Sequence, residues 1–340
     1  MKRYILWCLL ALTGLSGCDD APTPAEPIQR WITAPDGPAP EWLSETGFYD
    51  DLVTETLPAD VLLFTPPNGL WAGGADKGRL LYLPPNTAIR TDTAFWQFPL
   101  GTALAKSFSY EAVEGQPDSL IIETRLEWLT AQGWRYATYH WNAEGTEARK
   151  YPERWGDVPV ELMPIDPEAD PVTHTLPSEL GCDACHGAPG GKVVLGIDPY
   201  NVPPELVEAG VFEPAIEPIE VVGRTPEETA AMGYFVANCV HCHHGRTGVG
   251  ENASYSLLPG DLVANTVNQE TDSSASGDGV RIVPGDPEGS AVYQAVVHAR
   301  DADYAGQLKA MPPLGIDRVD PDAAQIIGAW IESIDGLETP

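Results

Sequence analysis

The sequence predicts an α+β fold: an N-terminal antiparallel β-sandwich followed by a mainly α-helical region. Three observations carry that expectation. Over residues 41–165, short runs alternate apolar and polar side chains with period two and are broken by turn residues. Past residue 225 the apolar spacing lengthens to that of amphipathic helices, the first of which opens on a helix cap. Two Cys-x-x-Cys-His stretches, Cys182–His186 and Cys239–His243, lie in this second half.

Taken in order, the chain opens with Lys2 and Arg3 before an apolar run, Tyr4–Leu12, and then Leu15-Ser16-Gly17-Cys18. A basic start, an apolar centre and small residues before a cleavage point make residues 1–17 a signal peptide, too short for a stable membrane span. Its end resembles a bacterial lipobox. That implies lipidation of Cys18 and a protein anchored on a membrane surface. Asp19, by the same resemblance, favours retention in the inner membrane of a Gram-negative cell. Residues 18–40, rich in Pro, Ala and acids, read as a disordered tether.

The β-rich segment, 41–165, offers candidate strands at Arg79–Leu83, Phe95–Phe98, Thr102–Glu111, Ser119–Leu129 and Trp134–Trp141. In the fourth, Leu120, Ile122, Thr124, Leu126 and Trp128 alternate with Ile121, Glu123, Arg125 and Glu127. One face should be core, and the other a charged outer face. An antiparallel sandwich is the economical way to bury so many aromatics. A Pro- and acid-rich connector, Met163–Pro171, then leads to the first cysteine pair.

Two thiols three residues apart stand on one side of a helical turn, where both reach the vinyl groups of a haem. The next residue, His, is held beneath the iron as proximal ligand. One such pentad is compatible with accident or with half a zinc site. Two in an exported chain point to two covalent haem c groups, one on Cys182 and Cys185 with His186, the other on Cys239 and Cys242 with His243. The remaining cysteines of the six are Cys8 and Cys18, so the mature body keeps no thiol for a disulfide. The helical region is therefore expected to be a dihaem cytochrome c region, with a first haem unit over 166–225 and a second over 226–336.

The second unit reads as similar to class I cytochromes c. Thr225-Pro226-Glu227-Glu228 starts a helix running into Cys239. Asp322–Ile334 places Ala324, Ile327, Ile331 and Ile334 on one face, and Gly233 with Tyr234 should cross it at Trp330 and Ile331. Between them, Met311-Pro312-Pro313 resembles a distal-ligand loop, which makes Met311 the expected sixth ligand of the second haem. For the first haem the distal ligand stays open between His298 and His174; Met232 and Met163 fit packing better, and an open iron position is the further alternative. The long loop Gly245–Gly289 is rich in Gly, Ser, Asn and Asp, and does not match an EF-hand.

Composition bounds the partners. A net charge of −31 argues against nucleic acid and against electrostatic adhesion to anionic lipid, and favours a basic redox partner. Gly and Pro, 33 each, imply many turns.

Beyond the haem stretches, the segments Gly73–Arg79, Trp96–Thr102, Ile122–Arg125, Pro177–Cys182, Asn238–His243, Pro284–Pro287 and Met311–Gly315 resemble an exported dihaem c-type cytochrome family of unassigned function. The resemblance covers about 65 to 335. It implies a β-rich N-terminal region joined to two haem sites, periplasmic redox work, and a parallel β-helix repeat protein as a partner of some members. His140 stands where that pattern leads one to expect an acid, and the loop after His244 departs from it; neither change touches haem attachment.

The expected function is that of a lipid-anchored periplasmic carrier passing single electrons between redox partners. Two other classes compete with it. One is a dihaem enzyme of peroxidase type with one five-coordinate haem; the other is a β-domain binding module with the haems as relay.

Overall fold

The period-two stretches build one sheet, and the sandwich expected from them does not form. The computed structural model describes residues 30–92, 96–113, 116–152, 156–162, 172–186, 194–245, 255–271, 279–313, 315–316 and 318–334. The signal peptide, Cys18, most of the tether and the connector 163–171 lie outside the described residues.

The strands are β1 (Val61–Leu63), β2 (Asp76–Tyr82), β3 (Ile89–Arg90), β4 (Ala103–Val113), β5 (Gln116–Thr130), β6 (Gly133–Trp141), β7 (Ala148–Lys150), β8 (Val158–Leu162), β9 (Val172–Leu176) and, later, β10 (Phe212–Glu213). Six of them form an antiparallel sheet in the order β1-β2-β4-β5-β6-β7. The others make two-stranded pairs, β8 with β9 and β10 with β3. Helices are short: α1 (Glu179–His186), α2 (Pro204–Glu208), α3 (Pro226–Asn238), α4 (Leu262–Thr266), α5 (Ala291–Tyr293) and α6 (Pro321–Ser333).

Both halves of the predicted fold class therefore need correcting. Strand accounts for 27% and helix for 22%, and among the described residues no region is mainly α-helical. The physical reason lies in the loops. Among the described residues past Thr225, α3 and α6 reach 13 residues each, while α4 and α5 between them have five and three. As for the sandwich, a second sheet is unnecessary because other segments cover the first on both sides.

On one face, Leu80, Tyr82, Ala103, Ala105, Leu126, Trp128, Ala137, Tyr139 and Trp141 pack under the N-terminal segment carrying Ile32, Leu43, Phe48 and Leu52. Trp31 meets Trp128 edge-on, ring centroids 5.0 Å apart. On the other, Leu81 and Leu104 pack under Val194, Ile197, Val202, Leu206 and Phe212, all from the chain after the first cysteine pair. The β3–β10 pairing ties that later chain back to the sheet, with Phe212 opposite Ile89.

A third cluster joins α3 to α6. Ala231, Met232 and Phe235 pack on Ala323, Ile327, Trp330 and Ile331, with Phe235 and Trp330 rings 5.9 Å apart. The cap at Thr225 forms as the sequence predicts, its side chain accepting from the Glu228 amide. Gly233 has a different task from the one expected. A Cβ there would stand 2.5 Å from Asn68 Oδ1, so the glycine makes room for the β1–β2 loop, and Phe235 makes the crossing. That loop is the hinge-pin of the molecule: Asn68 exchanges two hydrogen bonds with Asn201, and the Trp71 amide donates to Asn238, next to Cys239.

Candidate functional site

The first Cys-x-x-Cys-His stretch is α1 itself. Ser178 caps it, held by Asp157, whose carboxylate accepts from the Ser178 amide and hydroxyl at 2.7 Å. Gly181 allows that approach, since a Cβ would meet Asp157 Oδ1 at 2.7 Å. Glu179 pairs with Arg135 of β6 at 2.7 Å and fixes the helix on the sheet. One helical stretch thus carries Cys182, Cys185 and His186, as thioether attachment with proximal ligation requires.

His186 is held from below. Its Nδ1 lies 3.0 Å from Glu127 Oε2 on β5, both side chains largely buried, and the Tyr136 ring lies 5.5 Å away. A ring nitrogen donating to a carboxylate is the usual support for a ligating histidine. Beside it opens a cleft whose lining joins Leu104, Leu126, Val194 and Leu195 to the charged Arg79, Lys106, Arg125 and Glu127, with Cys182 and His186 at its edge.

The second stretch begins at the C-terminal end of α3. Cys239 is the cap residue, and the turn is closed by the Cys242 and His243 amides donating to the Cys239 carbonyl at 3.1 and 2.8 Å. His243 packs on the Tyr255 ring at 4.8 Å, and its buried Nδ1 has no hydrogen-bond partner among the described residues. A larger cleft adjoins this turn; Val236, Val240, His241, His244, Leu195, Asp198 and Tyr200 are among the residues that line it.

The two stretches lie within electrostatic reach of each other. Burial and the neighbouring Cys185 push the Cys242 thiol up to about 11. His241, between them, is pushed down to about 4, by burial first and then by His186, His243 and Lys106. All four thiols are free of disulfides.

No family model, curated protein or solved structure matches this chain. The site has to be read from its own residues.

Those residues fit two covalent haems. Each thiol pair sits with its histidine on one turn, each turn borders a cleft with apolar side chains in its lining, and the buried His243 Nδ1 has no partner among the described residues. Among the described residues no group of three or more His, Cys, Asp or Glu converges on a point; haem iron takes most of its ligands from the porphyrin and asks few of the chain.

Of the expected distal ligands, Met311 packs on the same cluster as Cys239 and Val240, its amide donating to Ala295 at 2.8 Å. His174 is committed elsewhere. It is 5% exposed, with Nε2 donating to Glu123 at 2.6 Å and Nδ1 accepting from the Tyr110 hydroxyl at 3.1 Å. His298 lies toward the surface, Nε2 facing Glu288 at 3.3 Å and Nδ1 facing Asp301 at 3.5 Å.

Sequence reasoning missed the charged floor beneath α1. Glu123 is fully buried, gripped by Arg125 at 2.6 and 2.9 Å as well as by His174, and Arg125 stacks on Phe108 at 4.3 Å. The face expected to be outward is interior. The alternation of Glu123, Arg125 and Glu127 was the available signal, but it names a shared face without saying what covers it.

Proposed function

We propose that the chain is a lipid-anchored dihaem c-type cytochrome that passes single electrons between redox partners on the periplasmic side of a bacterial membrane. The observation that carries this reading is that two Cys-x-x-Cys-His turns border clefts which share Arg79, Lys106 and Leu195 as lining residues. When bound, each haem supplies a one-electron couple; the chain's residues set its attachment, orientation and surroundings. Cys182 and Cys185, and Cys239 and Cys242, provide the thioethers. His186 and His243 provide proximal nitrogens, with Glu127 fixing the ring of the first. Met311 provides the second site's distal sulfur, which favours a higher potential there. With haems bound, the two sites would share Arg79 and Lys106 in their surroundings.

The leader sequence supports export and anchoring through Cys18. Among the described residues no helix is long and apolar enough to cross a membrane. A net charge of −31 suits a basic redox protein as partner; the resemblance to exported dihaem cytochromes adds a parallel β-helix repeat protein as a candidate.

Protein matured in a host able to assemble c-type cytochromes should carry two haems per chain by pyridine haemochrome assay, with a matching gain in mass. Colourless protein of unmodified mass would end this reading. One observation favours the peroxidase-type alternative: His174 and His298 have both ring nitrogens engaged elsewhere, which leaves the first haem's distal side to something other than those histidines. Carbon monoxide decides between them. A carrier with two six-coordinate haems binds it slowly, whereas rapid stoichiometric binding to one haem selects the enzyme.

A further inference from the structure

The sheet face beneath α1 carries a row of cations in register. Arg79 of β2 stands directly opposite Lys106 of β4, and Lys106 directly opposite Arg125 of β5. Like charges in directly opposed cross-strand positions repel, and burial strengthens the repulsion. Arg125 is neutralised by Glu123. Arg79 and Lys106 have no hydrogen-bond or ion-pair partner among the described residues, although Arg79 is only 8% exposed. The nearby carboxylate, Glu127, is engaged by His186. Lys77, one step along β2, adds a fourth cation, its Nζ donating to the Leu70 carbonyl at 2.6 Å.

Both Arg79 and Lys106 line the cleft beside the first cysteine pair and also the cleft beside the second. They are thus the shared wall of the two sites. A chain with 50 acidic and 19 basic residues has no shortage of carboxylates, yet among the described residues none is ion-paired with either of these two. Buried cations in directly opposed positions cost free energy that an anion from outside the chain would relieve. Burial is the main influence on both groups: Lys106 is pushed down to about 8, opposed only in part by Glu127, and Arg79 to about 10.

We propose that Arg79 and Lys106 form an anion seat at the junction of the two clefts, built for carboxylate-type oxyanions. Two sources supply that chemistry. The propionate groups of a haem attached at either cysteine pair arrive with the cofactor, and this source rests on the functional reading above. A small oxyanion entering from solvent is the other.

The experiment uses the mature protein, with Arg79→Gln and Lys106→Gln singly and together, and with Arg79→Lys and Lys106→Arg as charge-retaining controls. Haem content, midpoint potentials by spectroelectrochemical titration, and binding of acetate by calorimetry are read on each. If propionates occupy the seat, the Gln variants keep two haems but one midpoint potential shifts downward, because a cation that favoured the reduced state is gone. The Lys and Arg controls return it towards wild type, and acetate does not bind. If a free oxyanion occupies it, acetate binds wild type saturably and at least tenfold more weakly to the Gln variants. Two haems with unmoved potentials and no saturable acetate binding would overturn the seat while leaving the cytochrome reading intact. Colourless protein would sink the cytochrome reading instead, and acetate calorimetry on that material would still decide the seat: saturable binding lost in the Gln variants supports it, and none rejects it.

Discussion

The two faces of the central sheet are made by the same strands and do opposite work. Along β5, Leu126 and Trp128 point one way and Arg125 and Glu127 the other, one residue apart. The first face is apolar, closed by the segment around Ile32, Leu43 and Phe48, and holds the domain together by burial. The second puts Lys77, Arg79, Lys106, Glu123, Arg125 and Glu127 beneath the cysteine-bearing helix, where charge is costly unless it is used. The comparison teaches that alternation in a strand sorts side chains by face, while exposure depends on what the rest of the chain lays over each.

The sharpest way to break the comparison is on the apolar side. Trp128→Ala removes a side chain 1% exposed and should cost about 4 kcal/mol of stability, the usual range for deleting a large core aromatic. The loss, read from denaturant unfolding of the mature protein, should be the same at pH 4 and pH 7.

Next comes Glu123→Gln on the charged side. It strands Arg125 without its carboxylate and should cost about 3 kcal/mol at neutral pH. Here the loss should depend on pH. Burial alone would raise the Glu123 carboxyl, but Arg125 and the His174 hydrogen bond outweigh it and hold it below its ordinary 4.5. A depressed pKa contributes stability that is full above 4.5 and is lost as pH falls through the folded value. The gap between wild type and variant should therefore narrow on acidification; a gap constant with pH would show that the pairing is not what stabilises. Replacing Glu123 and Arg125 together by Met should recover most of the loss.

Two smaller effects fall on redox behaviour. Glu127→Gln withdraws negative charge from the His186 ring, so one midpoint potential should rise while unfolding changes by about 1 kcal/mol or less. Met311→Ala should lower the other potential and leave the first nearly unmoved; an unchanged titration would reject the sulfur as a ligand.

Much of this was legible from the residues. Period two located β2, β4, β5 and β6 to within a few residues, and Thr225-Pro226-Glu227-Glu228 marked the start of α3 because capping is a local interaction. The α6 face was read nearly as found, with Ala323 buried in place of Ala324. The cysteine pairs carry their chemistry in their spacing. What stayed hidden depends on distant chain. His174 finds Glu123 across 51 positions, and Gly233 yields to Asn68 from a loop that no periodicity describes. The expected second sheet was an inference from aromatic density, and irregular segments met the same need for cover.

The order of the chain has a consequence for biogenesis. Every strand of the six-stranded sheet, and the segment that seals its apolar side, precedes Glu179. A polypeptide emerging N-terminus first can complete that platform while both cysteine pairs are still extended. The later half of the chain, with its four thiols still accessible to any attachment chemistry, would then set against a finished mould.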